Sequence, residues 1–156
     1  DMDIQPLKVS CEMLLVVGNT GLERSTGELV AKVRMNKEKY PSIINPIIEV
    51  GGEIAERAKK ALERGEIEVL GELMNINHSL LSAVGVSHEF LDRLVGAARQ
   101  AGALGAKLTG AGGGGCMIAL ARHQMLEKVA LAIRKAGGAA FIAEKSNEGV
   151  RIEAKN

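Results

Sequence analysis

Glycine dominates one short segment of this sequence: five of the six residues from Gly110 to Gly115 are glycine, and Thr109 precedes them. Glycine loses much backbone entropy on folding, so this run predicts a segment that needs positive φ angles or close approach by another group. A backbone without side chains can also direct several N–H groups at one anion. The segment is therefore a candidate phosphate site, and the alternative is a glycine-rich hairpin turn that binds nothing.

Two common nucleotide-binding motifs do not fit this segment. Gly110, Gly112 and Gly115 satisfy the pattern G-x-G-x-x-G, but a dinucleotide-binding fold needs a helix directly afterwards, and the apolar run from Cys116 to Leu120 predicts a strand. No Lys-Ser or Lys-Thr pair follows the last glycine, as a P-loop requires, and the later motifs of protein kinases do not occur. The glycine run therefore favours close packing against a ligand or a partner loop of another kind.

A second candidate anion site is the segment Arg24-Ser25-Thr26, which precedes a predicted helix. A helix N-terminus offers unpaired amides and the positive end of the helix dipole, and an adjacent guanidinium adds a bidentate donor. Ser25 and Glu28 also have the spacing of a capping box, in which each side chain binds a free amide. From the local sequence alone, a capping box with an exposed arginine is the favoured interpretation.

Three further polar residues, Asn77, His78 and Lys107, could face a ligand. Asn77 and His78 lie on or beside the apolar stripe of a predicted helix, and a role in buried hydrogen bonding is favoured for them. Lys107 could reach a phosphate from a predicted strand, although an exposed strand lysine is commoner.

Composition argues against several other functions. The formal net charge is +1, no basic cluster stands out and aromatic residues make up 2% of the chain, so nucleic-acid binding is not expected. The longest apolar run is far shorter than the ~20 residues that span a bilayer, so no membrane segment is expected.

Cys11 and Cys116 lie in apolar runs and are expected in the core of a cytoplasmic protein. Neither cysteine has metal-site spacing with the histidines, His78, His88 and His123.

The order of apolar patterns predicts the elements that position these residues. One strand, four helices, two strands, one helix and two strands follow each other along residues 1–156. This order predicts a single α+β domain, a ferredoxin-like two-layer sandwich with an antiparallel sheet, helices on one face and extra helices inserted in the first crossover. The predicted strands are Cys11 to Val17, Ala106 to Thr109, Cys116 to Leu120, Ala139 to Ala143 and Val150 to Ala154.

Particular residues mark the helices. The first helix is expected to turn Leu29, Val30 and Val33 inward. Pro41 and Pro46 mark the start of the second helix and Gly65 its end. The third helix carries Leu70, Leu73, Met74, Leu81 and Val84 on one face, the fourth Leu91, Leu94, Val95 and Ala98, and the last Leu126, Val129, Ala130 and Ile133.

The segment from Ala106 to Cys116, AKLTGAGGGGC, resembles the third conserved motif of the GHMP small-molecule kinases, in the form typical of their mevalonate kinase branch. The residues from Asn77 to Leu81, NHSLL, and from Gly85 to Ser87, GVS, are similar to the helical segment that precedes that motif. The residues from Asn19 to Thr26, NTGLERST, are similar to the family's segment after its central strand. The resemblance covers nearly the whole chain.

The resemblance implies transfer of the γ-phosphoryl group of ATP to the primary hydroxyl of mevalonate, with Mg²⁺ neutralising the phosphates. Family members have two domains, and the active site lies in the cleft between them. The glycine turn would support the phosphate loop and line that cleft. The residues implied in ATP binding are Gly110, Gly112, Gly113 and Gly114, and those implied in substrate binding are Arg24, Thr26 and Ala111.

The sequence also departs from the family pattern. The family's phosphate loop, Pro-x-x-x-Gly-Leu-x-Ser-Ser, its catalytic aspartate and its active-site lysine do not occur in these residues. We therefore expect the C-terminal domain of such a kinase, with no catalytic residue of its own and with the N-terminal kinase domain as its partner. A first residue of Asp1 instead of methionine agrees with that expectation. Formation of a homodimer is left open.

Two alternatives stay open. One is another GHMP kinase, although galactokinases carry a bulkier residue inside the glycine run and homoserine kinases a proline. The other is a non-catalytic ferredoxin-like ligand-binding module, which would use the turn only for packing. If the kinase hypothesis holds, Gly113→Val in a two-domain enzyme should lower catalytic efficiency far more than stability, because the side chain would project into the space where the phosphate loop or nucleotide approaches.

Overall fold

The computed structural model describes residues 6–23, 25–146 and 149–150. Four strands and five α-helices lie in these ranges. The strands are β1 (Leu14–Asn19), β2 (Gly105–Leu108), β3 (Cys116–Leu120) and β4 (Ala139–Glu144). The helices are α1 (Thr26–Lys39), α2 (Pro41–Arg64), α3 (Ile67–Ala83), α4 (Glu89–Gln100) and α5 (Leu126–Lys135), and a short 3-10 turn, His123–Met125, precedes α5.

The strands form one antiparallel sheet in the order β2-β3-β1-β4. Val17 in β1 pairs with Ile118 in β3 and with Phe141 in β4, and Lys107 in β2 pairs with Ile118 from the other side. The predicted ferredoxin-like sandwich, with extra helices between its first two strands, is confirmed. Most of the fifth predicted strand, residues 150–154, lies outside the described residues.

The main core lies between one face of the sheet and the helices α4 and α5. Side chains alternate between the faces of a strand, so Leu14 and Val16 of β1 point to this core together with Met117 and Ala119 of β3. Each helix contributes a buried stripe at helical spacing, as predicted. The stripes are Leu91, Leu94, Val95 and Ala98 in α4, and Leu126, Val129, Ala130 and Ile133 in α5.

The inserted helices α2 and α3 add a smaller cluster. Leu15 of β1 and Ile118 of β3, which alternate with the core-facing residues, pack there against Ala61, Leu70 and Met74. The two clusters therefore lie on opposite faces of the sheet, with α4 and α5 on one and part of α2 and α3 on the other. This corrects the prediction that the helices lie on one face only.

Helix α3 approaches strand β2 closely because glycine stands on both sides of the contact. A Cβ atom on Gly71 of α3 would lie 2.6 Å from the carbonyl carbon of Leu104. A Cβ atom on Gly105 of β2 would lie 2.1 Å from the carbonyl oxygen of Gly71. The absence of side chains at these two glycines brings polar residues of α3 within hydrogen-bonding reach of the outer edge of β2.

Helix α1 lies on the surface, which corrects the predicted inward stripe. Ser25 caps the helix as predicted, because its Oγ accepts from the N–H of Glu28 at 3.3 Å. Leu29 and Val33 are half-buried, but Val30 is 53% exposed. Leu29 and Val33 are one helical turn apart, whereas Val30 is rotated ~100° away from Leu29. The inward side of α1 is therefore narrower than predicted.

Both cysteines are half-buried, so the prediction that they belong to the core is wrong. Cys11 precedes β1, which begins only at Leu14. Cys116 directly precedes Met117, whose side chain points into the main core. Because neighbouring side chains of a strand point to opposite faces, Cys116 points away from that core. Neither thiol therefore has the environment that the apolar runs indicated.

Helix α2 begins at Pro41, one of the two prolines that were predicted to mark its start, and a missing amide hydrogen does no harm there. The other, Pro46, lies inside the helix and not at its start. Its predicted end is confirmed, because Gly65 adopts the left-handed conformation of a C-cap with a φ of 72°. Across the described ranges, no helix is both long and apolar enough to cross a membrane.

Candidate functional site

The glycine run forms the turn between β2 and β3. All five glycines have positive φ angles, from 67° at Gly115 to 144° at Gly114. Among the described residues, no other residue type has a positive φ. The backbone path of the turn therefore requires glycine, as predicted from the composition of the run.

The inner side of this turn packs against the protein itself. A Cβ atom on Gly112 would lie 2.0 Å from the carbonyl oxygen of Val86, and one on Gly113 would lie 2.8 Å from Cδ1 of Leu29. The N–H of Gly113 donates to the Val86 carbonyl at 2.8 Å. A side chain at Gly113 would therefore meet Leu29 of α1, which corrects the prediction that it would project into open space.

The N-terminus of α1 borders the glycine turn. A cleft of about 330 Å³ between them is lined by Glu23, Ser25, Glu28, Leu29, Lys32 and Gly113. Thr26, the first residue of α1, and Gly110 are exposed, and Ala111 is half-buried. Arg24 lies outside the described residues. The fold thus brings the two candidate anion-binding segments side by side.

Thr20 fastens the far end of the turn to the end of β1. Its N–H and its hydroxyl both donate to the carbonyl of Gly115, at 2.9 and 3.1 Å. The same hydroxyl accepts from the N–H of Leu22 at 3.2 Å. Thr20 is buried, with 8% of its surface exposed, so this link between the turn and the segment before α1 is shielded from water.

Strand β2 is an edge strand, and side chains from α3 and α4 take the place of a neighbouring strand. The Asn75 amide accepts from the N–H of Ala106 at 3.0 Å and donates to the carbonyl of Leu104 at 3.2 Å. The Arg99 guanidinium donates to the carbonyl of Ala106 at 2.7 Å. These bonds satisfy backbone groups that the ladder to β3 leaves unpaired.

Leu108, the last residue of β2, is held at both of its backbone groups. Its N–H donates to Nδ1 of His78 at 3.3 Å, and its carbonyl accepts from Nζ of Lys107 at 2.9 Å. His78 is 5% exposed and thus has the buried hydrogen-bonding role that its position indicated. Lys107 is half-buried, and burial lowers the pKa of its ammonium group.

The other imidazole nitrogen of His78 contacts Asp92 of α4, with 3.1 Å between Nε2 and Oδ1. An amide N–H can only donate, so Nδ1 carries the lone pair and Nε2 the proton of a neutral ring. Burial, followed by the charge of Arg99, lowers the pKa of His78, although Asp92 acts to raise it. The Asp92 side chain is 49% exposed, so water screens its charge, and the lowering effects prevail.

Sequence reasoning missed Thr20, Asn75, Arg99 and the link between His78 and Asp92. A signal was present in the spacing of Asn75 and His78, which lie three residues apart and therefore on one side of α3. Their partners, Ala106 and Leu108, are alternate residues that point their amides to the same edge of β2. Recognising this match requires knowing that α3 lies beside β2.

The cleft and the rest of the described chain offer few groups that could bind a metal ion. Within the described ranges, no three His, Cys, Asp or Glu side chains are grouped in a way that could hold a metal ion. The cleft beside the glycine turn contains two carboxylates and one ammonium group, from Glu23, Glu28 and Lys32. The Lys32 ammonium donates to the carbonyl of Gly85 at 2.9 Å. Any anion held there would therefore depend mainly on backbone amides and the α1 dipole.

Residues 58–139, slightly more than half of the chain, match the family model described as GHMP kinases C terminal. This range includes α3, α4, the glycine turn and α5. The chain therefore belongs to the family of GHMP kinase C-terminal domains.

Relatives within that family carry more specific names. The mevalonate kinase of Thermococcus gammatolerans is 56% identical over 147 residues, which make up 91% of this chain and 44% of that protein. The crystal structure of L. major mevalonate kinase with R-mevalonate matches with a TM-score of 0.83 and 32% identity, over 90% of this chain and 44% of that one.

A more distant structure shares the fold. The structure of Streptococcus pneumoniae phosphomevalonate kinase with phosphomevalonate and AMPPNP matches with a TM-score of 0.80 and 23% identity, over 92% of this chain and 43% of that one. The chain thus spans less than half the length of each of these relatives.

Proposed function

We propose that this chain is the C-terminal part of a mevalonate kinase, which transfers the γ-phosphoryl group of ATP to the primary hydroxyl of mevalonate. The observation that carries the proposal is the 56% identity to a mevalonate kinase over 91% of the chain. The matched kinases are more than twice as long, so the chemistry belongs to the assembled protein and not to these residues alone.

In the assembled enzyme the glycine turn would act as a shaped wall of the ATP site. Its inner side is filled by Val86 and Leu29, and the N–H of Gly113 already bonds to Val86. Gly110 and Ala111 lie on the more open side of the turn and are the best candidates for direct contact with ATP and mevalonate. Gly112, Gly113 and Gly114 would serve ATP binding mainly by letting the turn pack closely.

The N-terminus of α1 would stabilise the negative charge of the substrates. Thr26 is the first residue of this helix, where amide groups and the helix dipole favour an anion, and Arg24 precedes it by two residues in the sequence. Phosphoryl transfer needs positioning and charge stabilisation more than covalent chemistry from the protein. Mg²⁺ would supply charge neutralisation on the phosphates, and the described residues offer it no cluster of carboxylates.

The N-terminal kinase domain is the proposed partner of this chain, in a cytoplasmic enzyme. Several large apolar side chains on and beside α1 and α2 are exposed, among them Leu22, Val30, Met35, Ile43 and Ile48. Large apolar side chains that are exposed on a domain surface are candidates for an interface. Docking of the N-terminal domain would cover some of these side chains.

A substrate comparison tests the proposed function. The full-length protein that contains these residues is assayed for ATP- and Mg²⁺-dependent phosphorylation of mevalonate, galactose and homoserine. We expect mevalonate to be the preferred substrate. Preference for galactose or homoserine would assign another GHMP kinase activity, and ligand binding without turnover of any of the three would favour the non-catalytic module.

A further inference from the structure

His78 lies where α3, α4 and β2 meet, beside the last residue of β2 before the glycine turn. We propose that His78 is a positioning residue for phosphoryl transfer: its neutral imidazole holds Leu108 and thereby fixes the turn that faces ATP. This inference rests on the proposed kinase function and concerns how the protein keeps that site in shape.

Three residues outside the turn, His78, Val86 and Thr20, form hydrogen bonds that hold it along its length. His78 binds the N–H of Leu108 before the turn, the Val86 carbonyl binds the N–H of Gly113 within it, and Thr20 binds the carbonyl of Gly115 at its end. An amide carbonyl and a threonine hydroxyl do not titrate near neutral pH. Among these three contacts, the one made by His78 therefore depends on pH.

Asp92 connects two of the three contacts. Its carboxylate contacts Nε2 of His78 and also accepts a hydrogen bond from the hydroxyl of Ser87. Ser87 directly follows Val86, the residue whose carbonyl holds Gly113. A shift of the imidazole would therefore affect both Leu108 and the loop that supports the middle of the turn.

Protonation of His78 would remove the contact to Leu108, because a proton on Nδ1 would face the Leu108 N–H and leave two donors opposed. The charged groups around the ring are Asp92 and Arg99 from α4 and Lys107 from β2. Arg99 and Lys107 repel an imidazolium, while Asp92 attracts it. Burial and Arg99 keep the pKa of His78 below its usual 6.5, so the contact persists at neutral pH and is lost in acid.

Two substitutions in the full-length protein separate positioning from simple packing. His78→Asn can keep an acceptor near the position of Nδ1, whereas His78→Leu fills similar space without one. We expect His78→Leu to lower kcat/KM for ATP about tenfold or more and to speed amide exchange at residues 108–113, because small misplacements at a reactive site have large effects on rate. His78→Asn should restore most of both properties, and His123→Asn, on an exposed histidine, should match the parent.

The pH profile provides a readout that packing alone would not change. The parent should lose kcat/KM for ATP with an inflection below pH 6.5, and Asp92→Asn should move that inflection to lower pH because Asp92 raises the pKa of His78. Both His78 variants should lack this inflection. If His78→Leu leaves amide exchange at residues 108–113 and kcat/KM unchanged, or if the inflection persists without His78, the positioning role is wrong.

The amide exchange measurement also separates this inference from the proposed function. If the parent protein does not phosphorylate mevalonate, exchange at residues 108–113 in the parent and in His78→Leu still tests the contact to the turn. If His78→Leu does not fold, the comparison of His78→Asn with Asp92→Asn across pH decides. An inflection that is unaffected by either substitution overturns the proposal.

Discussion

At the scale of single residues, Gly112 has less room for a side chain than Gly113 or Gly114. A side chain there would begin 2.0 Å from the backbone oxygen of Val86, on a residue whose φ is 88°. Because the obstacle is backbone, no rotamer change relieves it. We expect Gly112→Ala to lower the free energy of unfolding by more than about 2 kcal/mol in urea denaturation.

The control for this change is Gly96→Ala in α4. Apart from the neighbouring backbone of α4 itself, no atom of the described residues lies within 4 Å of the added methyl group, and alanine favours a helix by about 1 kcal/mol over glycine. The control should be neutral or slightly stabilising. Equal urea midpoints for the two variants would contradict the close contact at Gly112.

The neighbour of Gly113 is a flexible side chain, so Gly113→Val should behave differently. Valine must push Leu29 away and adopt a φ of 69°, which should lower stability by roughly 1–3 kcal/mol. In the full-length enzyme, moving Leu29 also moves the N-terminus of α1 from the turn, so we expect catalytic efficiency to fall ~100-fold. Steady-state kinetics and a denaturant melt of the same variant give the two values. A destabilised enzyme with near-normal efficiency would show that glycine serves the backbone path alone.

His78 also makes stability depend on pH. Its pKa is lower in the folded chain than the value of 6.5 expected when unfolded, so the unfolded chain binds more protons in mild acid. Its contribution to stability is therefore complete above pH 6.5 and is lost as the pH falls through the folded-state pKa. We expect the urea midpoint to fall between pH 7.5 and pH 5, and to fall less in His78→Asn. An identical acid loss in that variant would assign the effect to other groups.

At the scale of elements, the two inserted helices contain glycines with opposite roles. Apart from the neighbouring backbone of α2 itself, a methyl group added at Gly52 would have no atom of the described residues within 4 Å, and the φ of Gly52 is ordinary. Gly71 in α3 lies against the backbone of Leu104. We expect Gly52→Ala to raise the free energy of unfolding by about 0.5–1 kcal/mol and Gly71→Ala to lower it by more than about 2 kcal/mol. Thermal melts of both variants test this, and a change of the same sign in both would contradict the packing of α3 on β2.

Periodicity explains which elements could be predicted from sequence. The stripes of α4 and α5 recur at helical spacing and face a continuous core, so their buried residues were predicted correctly. Helix α1 has few apolar residues and no buried residue, so its sequence pattern does not define which side faces the protein. The exposure of Val30 depends on how the helix lies on the rest of the fold. The hydrogen bonds from Asn75 to β2 depend on the close approach of α3 at Gly71, and the bond from Arg99 depends on the placement of α4. No local pattern indicates either. The need for glycine in the turn was predicted from the composition of the run, but the packing of Gly112 and Gly113 against Val86 and Leu29 was not.

At the scale of the whole molecule, the described residues contain a complete core between the sheet and two helices. We therefore expect the 156-residue chain to unfold cooperatively on its own. We also expect it not to phosphorylate mevalonate, because the phosphate loop and catalytic aspartate of the family do not occur in it. A thermal melt and an ATP- and Mg²⁺-dependent assay on highly purified chain test the two expectations. A gradual melt would contradict the first, and measurable turnover the second.

The side chains along β2 also affect how copies of this protein meet each other. An open sheet edge can recruit strands from other molecules, and such recruitment can grow into fibrils. On the β2 side, the outward amide of Ala106 and the outward carbonyl of Leu104 are already bonded to Asn75. An approaching strand would have to displace the Asn75 side chain before it could pair. Helix α3, whose His78 bonds to Leu108 before the glycine turn, therefore also hinders intermolecular β-pairing at this edge.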